Sequence, residues 1–192
     1  MPLSDTNTSL HSQILIAMPS LLDPRFSKTI TLICEHSSEQ GAMGIILNQP
    51  TSQNIYELIE ADHTSHDKND PLLSIRIHNG GPVDTDHGFI LHDCNIERES
   101  TLQITPTLFL TSSPSILTEI TDNKGPRNKI VALGYAGWSP GQLEAEISAN
   151  SWLTTEYQHS LVFDTPADKQ WLAAGKQLGI DLNLLTSQPG HA

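Results

Sequence analysis

The chain has 192 residues, with 10 Lys and Arg against 22 Asp and Glu, a formal charge of −12 when His is neutral. That length supports a buried core without disulfide or metal staples, and 37% apolar with 17% charged residues excludes a disordered chain. So acidic a surface repels nucleic acid and anionic lipid, whose binding proteins draw affinity from Lys and Arg.

Residues 1–12 are polar and predicted to be loosely held, with one domain expected over 13–192. Gln13 to Ala17 reads as a buried strand ended by Met18-Pro19, followed by a loop whose Leu21, Leu22 and Phe26 should pack down. Lys28 to His36 alternates, with Ile30, Leu32, Cys34 and His36 on one face. A turn through Gly41 leads into Ala42 to Leu47, so the two runs should form a hairpin. Asn48-Gln49-Pro50 stops the strand, Ile55 to Ala61 reads as a short helix, and 62–70 as a polar loop.

Further strands are expected at Leu73 to His78, Gly88 to His92, Leu102 to Thr105 and Leu108 to Thr111, with a tight turn at Asn79-Gly80-Gly81-Pro82. Ser113-Pro114 should cap a helix through Ile120, and Lys129 to Gly134 is a buried strand. Ser139-Pro140-Gly141-Gln142 fits a capping box opening a helix that aligns Leu143, Ile147 and Asn150. Two strands are expected in Trp152 to Phe163. Thr165-Pro166-Ala167-Asp168 then opens a last helix with a stripe of Ala167, Trp171, Ala174 and Leu178, ended by Gly179. Consecutive strands on short turns imply antiparallel pairing, hence an α+β domain rather than a doubly wound parallel sheet.

The densest chemical run is Gly134-Tyr135-Ala136-Gly137-Trp138-Ser139-Pro140-Gly141-Gln142-Leu143-Glu144, read as a strand passing through a glycine-rich loop into a helix start. It lacks both the P-loop ending and the dinucleotide-binding glycine spacing. A nucleophile elbow is absent. Cys34 and His36 are two apart on one strand, where side chains diverge, so Cys34 reads as packing. His63 and His66 lie among Asp62, Asp67 and Asp70, and Asp84, Asp86, His87, His92, Asp93 and Cys94 form a second group; neither has the spacing of a zinc site. No catalytic set, metal site or cofactor is therefore expected.

Lys124, Arg127 and Lys129 form the only basic cluster and read as solubilising rather than DNA-binding. Two cysteines are too few for a disulfide scaffold, no apolar stretch approaches the roughly 20 residues of a membrane span, and no basic residue precedes Arg25. A cytoplasmic location is the expectation. The candidate binding surface is Trp138, Gln142 and Glu144 at the helix start, with Asn48, Gly80, Gly81 and Gly134 in the glycine turns around it. The rival expectation is a metabolite binder or enzyme at the same corner, with His36 or Glu144 as acid or base.

Several stretches together resemble one family. They are Ile16-Ala17-Met18-Pro19 with Asp23-Pro24-Arg25-Phe26, Glu35-His36 with Gly41 to Pro50, Gly80-Gly81-Pro82-Val83, and Gly88-Phe89-Ile90-Leu91-His92. Gly134 to Glu146 with Asn150 and Trp152 follows, then the ending Gly190-His191-Ala192. In this order, over nearly the whole length, they resemble the YqgE/AlgH family. The resemblance implies a bacterial cytosolic protein with a compact domain built around a barrel-like sheet. It also implies a regulatory role, of the kind proposed for alginate production, and it brings no catalytic residues or cofactor. This chain has Ser37 where relatives often carry a basic residue. With a charge of −12, regulation is expected through a protein partner rather than by gripping a promoter.

Overall fold

The computed structural model describes residues 9–58, 71–96 and 100–185. The helical residues expected at 59–61, the polar loop 62–70 with His63 and His66, and the ending Gly190-His191-Ala192 lie outside these, as do residues 1–8. Residues 9–12 are tied to the next strands: Ser12 N–H donates to Ile33 O at 2.9 Å and Leu10 N–H to His36 Nδ1 at 3.0 Å.

Among the described residues ten strands form: β1 Gln13–Ala17, β2 Ile30–Ser37, β3 Gly41–Ile46, β4 Pro50–Asn54, β5 Arg76–Asn79, β6 Val83–His92, β7 Thr101–Thr105, β8 Leu108–Thr111, β9 Lys129–Trp138 and β10 Trp152–Glu156. Five helices accompany them: α1 Ile55–Leu58, α2 Pro114–Thr121, α3 Gln142–Ser148, α4 Ala167–Gln177 and α5 Leu182–Leu185. The main sheet runs β10-β1-β2-β3-β9-β6-β8-β7, and β4–β5 joins it where β5 lies parallel to β9, Ile77 opposite Val131. Every other pairing among the described residues is antiparallel. This is the α+β architecture read from the sequence.

Period-two alternation sorts the apolar side chains onto the two faces. Ile14, Ile16, Ile30, Leu32 and Cys34 enter the main core, and their neighbours Leu15, Ala17 and Ile33 enter a second cluster under α3. Ile130 and Ala132 belong to the main core, whereas Val131 joins a third cluster with Ile77, Ile90, Ile116 and Ile120 under α1 and α2. Ile104 on β7 and Leu110 on β8 share the main core with Ile14 and Ile16 at the other end of the strand order, so the sheet curls round it. β10 and β7 do not pair with each other, so the curl is not closed. α4 lies over this core, with Trp171 and Ala174 buried and Trp171 Nε1 donating to Ala17 O at 2.9 Å.

Several segments differ from the sequence reading. The run Gly134 to Trp138 is not a loop: β9 continues through it, and its last residues pair with β3, Ala42 opposite Trp138. Its glycines serve close strand crossing rather than a turn. β6 starts at Val83, five residues earlier than expected, because Val83 pairs with Tyr135 before residues 84–87 bulge out and pairing resumes at Gly88–Leu133. β4 was hidden by Pro50, whose missing N–H is tolerable on a short strand with β5 on one side. Pro71–Ser74 is a 3₁₀ turn, so β5 begins only at Arg76.

Only one strand occupies Trp152 to Phe163. Ser160–Asp164 forms a π-helical turn that buries Leu161 and Val162, whose carbonyls accept from Gln170 Nε2 at 3.0 and 2.9 Å. Leu22 is 94% exposed and does not pack down as Leu21 and Phe26 do. Leu178, placed in the buried stripe of α4, is exposed. Ser113 stands at the start of α2, but its hydroxyl bonds Ser115 Oγ rather than capping the helix.

Candidate functional site

The end of β9 turns through Ser139-Pro140-Gly141 into α3, and polar side chains lock that corner. Gln142 Oε1 accepts from Ser139 N–H at 3.0 Å, one half of the predicted capping box. The other half is absent, because Gly141 rather than Ser139 occupies the cap position. Gln142 Nε2 donates to Glu146 Oε1 at 2.9 Å, one helical turn on. The other oxygen, Glu146 Oε2, accepts from Trp138 Nε1 at 2.9 Å and from Trp152 Nε1 at 2.8 Å. One carboxylate thereby joins β9, α3 and β10, and both indole donors, which are costly to bury unpaired, are satisfied. Phe26 closes the cluster, edge-on to Trp152 at 5.4 Å and tilted to Trp138 at 6.3 Å. Trp138 is only 6% exposed, so it forms the wall of the corner rather than a projecting contact.

Glu144, two residues before Glu146, faces another way. Its Oε1 lies 2.8 Å from His36 Nε2, with the imidazole side chain 3% and the carboxylate side chain 40% exposed. His36 Nδ1 accepts the Leu10 N–H, so that nitrogen carries no proton and Nε2–H donates to Glu144. The ring thus connects the N-terminal segment, β2 and α3, with both nitrogens engaged. Cys34 makes no hydrogen bond to His36; its Sγ faces Leu32 O at 3.7 Å, and burial pushes the thiol pKa far up. That environment disfavours the thiolate nucleophile.

The remaining predicted residues lie along the opposite part of β9. Gly81 and Gly134 cross at backbone contact: a Cβ on Gly81 would stand 2.0 Å from Tyr135 C, and one on Gly134, whose φ is 72°, would stand 2.5 Å from Gly81 O. Gly80 N–H donates to Leu133 O, and Ile46 N–H donates to Gly80 O. Asn48 ties the end of β3 to β2, with Oδ1 accepting from Ile30 N–H and Nδ2 donating to Lys28 O. The seven candidates therefore fall into two groups: Trp138, Gln142 and Glu144 at the corner, and Asn48, Gly80, Gly81 and Gly134 at the strand crossing.

Two hollows flank the corner. A cleft of about 270 Å³ separates Asp23–Phe26 from Trp138, Gln142 and Glu146, and Pro82 and Val83 of the glycine turn line it too. A larger open groove of about 930 Å³ runs between the β2–β3 hairpin and the end of β9. Cys34, Met43, Leu102, Tyr135 and Trp138 line its apolar part, and Glu35 and Gln40 stand among its polar groups. No Lys or Arg lines it among the described residues.

Sequence reasoning passed over Glu146, Glu35 and Met43. The Gln142–Glu146 spacing is a readable i, i+4 pair, but the two indoles reach Glu146 only through tertiary packing. A second polar cluster was also missed: Asp93 Oδ2 accepts from Asn128 Nδ2 at 2.7 Å and from His159 Nε2 at 3.1 Å. Partial burial pushes the Asp93 carboxyl up, yet those two donors hold it below the usual carboxylate range. Tyr157 is pushed up to about 12 by burial and by Asp93. His92 is buried between Cys94 O and Thr111 Oγ1, each at 2.8 Å, while Asp84, Asp86 and His87 stand on the β6 bulge. Among the described residues, no three His, Cys, Asp or Glu side chains converge as metal ligands would.

Comparison with known proteins places this geometry. A profile of the AlgH-like family (DUF179) matches residues 14–183. A UPF0301 protein of Saccharophagus degradans is 48% identical over 187 residues, covering 96% of this chain and 89% of the relative. The UPF0301 protein AlgH of Pseudomonas aeruginosa is 43% identical, covering 96% of this chain and 97% of the relative. The solution structure of AlgH from Pseudomonas aeruginosa superposes with a TM-score of 0.77 at 42% identity over the whole of both chains. A Corynebacterium diphtheriae crystal structure shares the fold, with a TM-score of 0.71 at 20% identity over 92% of this chain and 91% of that one. With a family profile spanning 14–183 and the whole fold shared with AlgH, the chain belongs to the AlgH-like UPF0301 family.

Proposed function

We propose that the chain is a non-catalytic regulatory binding protein of the cytosol, acting through a protein partner whose segment lies in the groove between the β2–β3 hairpin and the end of β9. The observation that carries this reading is the groove itself: about 930 Å³, open, apolar-floored and without a cationic lining residue. Glu35 on its lining favours a partner segment with an apolar anchor flanked by Lys or Arg, and the overall charge of −12 steers such a segment inward. The corner residues act as a rigid wall: Trp138, Gln142 and Glu146 hold one another, and Glu144 holds His36. Pre-organised walls lower the ordering cost of binding. Any effect on transcription then passes through that partner. Among the described residues no helix is long and apolar enough to cross a membrane.

The test is capture from a lysate of the native host with wild type, the groove variants Met43→Glu and Glu35→Lys, and the remote variant Lys169→Glu. The expected result is one protein retained by wild type and Lys169→Glu and lost with both groove variants at unchanged melting temperature. Retention by the groove variants, or equal loss with Lys169→Glu, contradicts the reading.

A further inference from the structure

A smaller cleft, distinct from the groove above, reverses the charge of the rest of the molecule. It has about 290 Å³ and is lined by Arg127 and Lys129 with His78, Asn128, Phe163 and the start of α4 at Ala167. Elsewhere on the described surface of this −12 chain, Arg25 pairs with Asp23, Lys124 pairs with Asp122, and Lys28 sits over the Trp171 ring. Arg127 and Lys129 have no acidic partner among the described residues. Lys129 Nζ donates only to Pro126 O at 2.9 Å, and burial lowers its pKa, the mark of a cation drawn from water without a counter-ion. Asp93, which the intervening Asn128 holds, is engaged with Asn128 and His159.

The opening of α4 adds to this. Its cap position is Pro166, which offers no side-chain acceptor, and the Thr165 hydroxyl is given to Ser160 O. The first N–H groups of this 11-residue helix therefore have no side-chain cap, with Asp168 the acid of its first turn. His78 contributes the opposite polarity. Its Nδ1 must carry the proton, because its partner at 2.7 Å is Leu47 O, and burial lowers the ring's pKa, leaving Nε2 as an acceptor. Below the lining, Gln170 is 2% exposed, with Nε2 committed to Leu161 O and Val162 O and with Oε1 unpartnered.

We infer that this cleft binds a small phosphate monoester. A tetrahedral dianion answers the Arg127 guanidinium, the Lys129 ammonium and the uncapped helix start together. A hydroxyl on the ester's carbon portion answers the His78 acceptor, and Phe163 gives that portion an apolar wall. The volume lies at the lower end of small-molecule sites, which restricts the ligand to a compact metabolite.

The test is a titration of isotope-labelled protein at constant ionic strength, with inorganic phosphate and with glycerol 3-phosphate as probes and chloride as the background. The expected result is saturable amide shifts at 128–130 and 167–169 for both probes, tighter for glycerol 3-phosphate. Affinity falls about tenfold or more in Arg127→Gln/Lys129→Gln at unchanged melting temperature. No saturable shift, or equal affinity in the double variant, overturns the site. Binding of inorganic phosphate without glycerol 3-phosphate overturns the monoester class. Each variant is read alongside the groove capture assay, so failure here and failure of the proposed function are separate results.

Discussion

Glu146 shows how a single side chain can organise a corner without being chemically active. Its two oxygens accept three hydrogen bonds from neutral donors, two of them indoles on different strands. Glu146→Ala strands both indole donors and is expected to cost about 2–3 kcal/mol, whereas Glu146→Gln keeps one carbonyl acceptor and costs about 1 kcal/mol. Urea titration followed by tryptophan emission measures both. His78 gives a pH-dependent expectation. Burial holds its pKa below the ordinary 6.5, the opposing bond from Leu47 notwithstanding, so between the two values the unfolded chain binds the extra proton. Stability should therefore fall as pH drops below about 6.5 and level off at the folded pKa, and His78→Gln should flatten that slope. An equal slope in the variant contradicts the assignment. At this scale the bond from Ser139 N–H to Gln142 was legible because it is local, although Gly141 takes the cap position; the Glu146 hub was not, since Trp152 reaches it only once β10 is in place.

At the scale of elements, alternation in β2 announced both the strand and the face that Ile30, Leu32 and Cys34 take, because a curled sheet with cores on both sides rewards period two, whereas β1 and the first half of β9 read only as buried runs. Glycine misled the reading where it matters most. Gly134 resembles a loop residue, yet it lets β9 pass against Gly81 and the β6 bulge. Local sequence cannot say whether a glycine is there for its own turn or for a strand crossing it. The two cases separate by substitution. Gly81→Ala drives a Cβ to 2.0 Å from Tyr135 C and should cost about 4 kcal/mol or leave the chain unfolded. Gly141→Ala meets nothing within 4 Å and carries only the strain of φ 75°, about 1 kcal/mol. Melting temperatures of the two variants check the contrast. The π-helical turn at Ser160–Asp164 escaped notice because Leu161-Val162-Phe163 is also a strand-like run; the Gln170 bonds to its carbonyls decide the outcome.

The whole molecule combines a strongly acidic composition with a groove that no described Lys or Arg lines and a cleft lined by Arg127 and Lys129. Net charge was readable at once and argued against phosphate polymers as partners. That Arg127 and Lys129 have no acidic partner among the described residues was not readable, because it depends on which carboxylates the fold brings near them. The groove likewise exists only because β3 and β9 pair at Ala42–Trp138 and leave the hairpin standing beside Tyr135. The central claim is that this groove, and no other face, receives a basic partner segment. A photo-crosslinking residue at Gln40, compared with one at Lys169, tests it most directly in the native host. The account predicts a crosslink from Gln40 to a Lys- or Arg-flanked apolar segment of one protein and none from Lys169. Crosslinks of that protein to Lys169 alone, or none at Gln40 while it co-purifies, would contradict it.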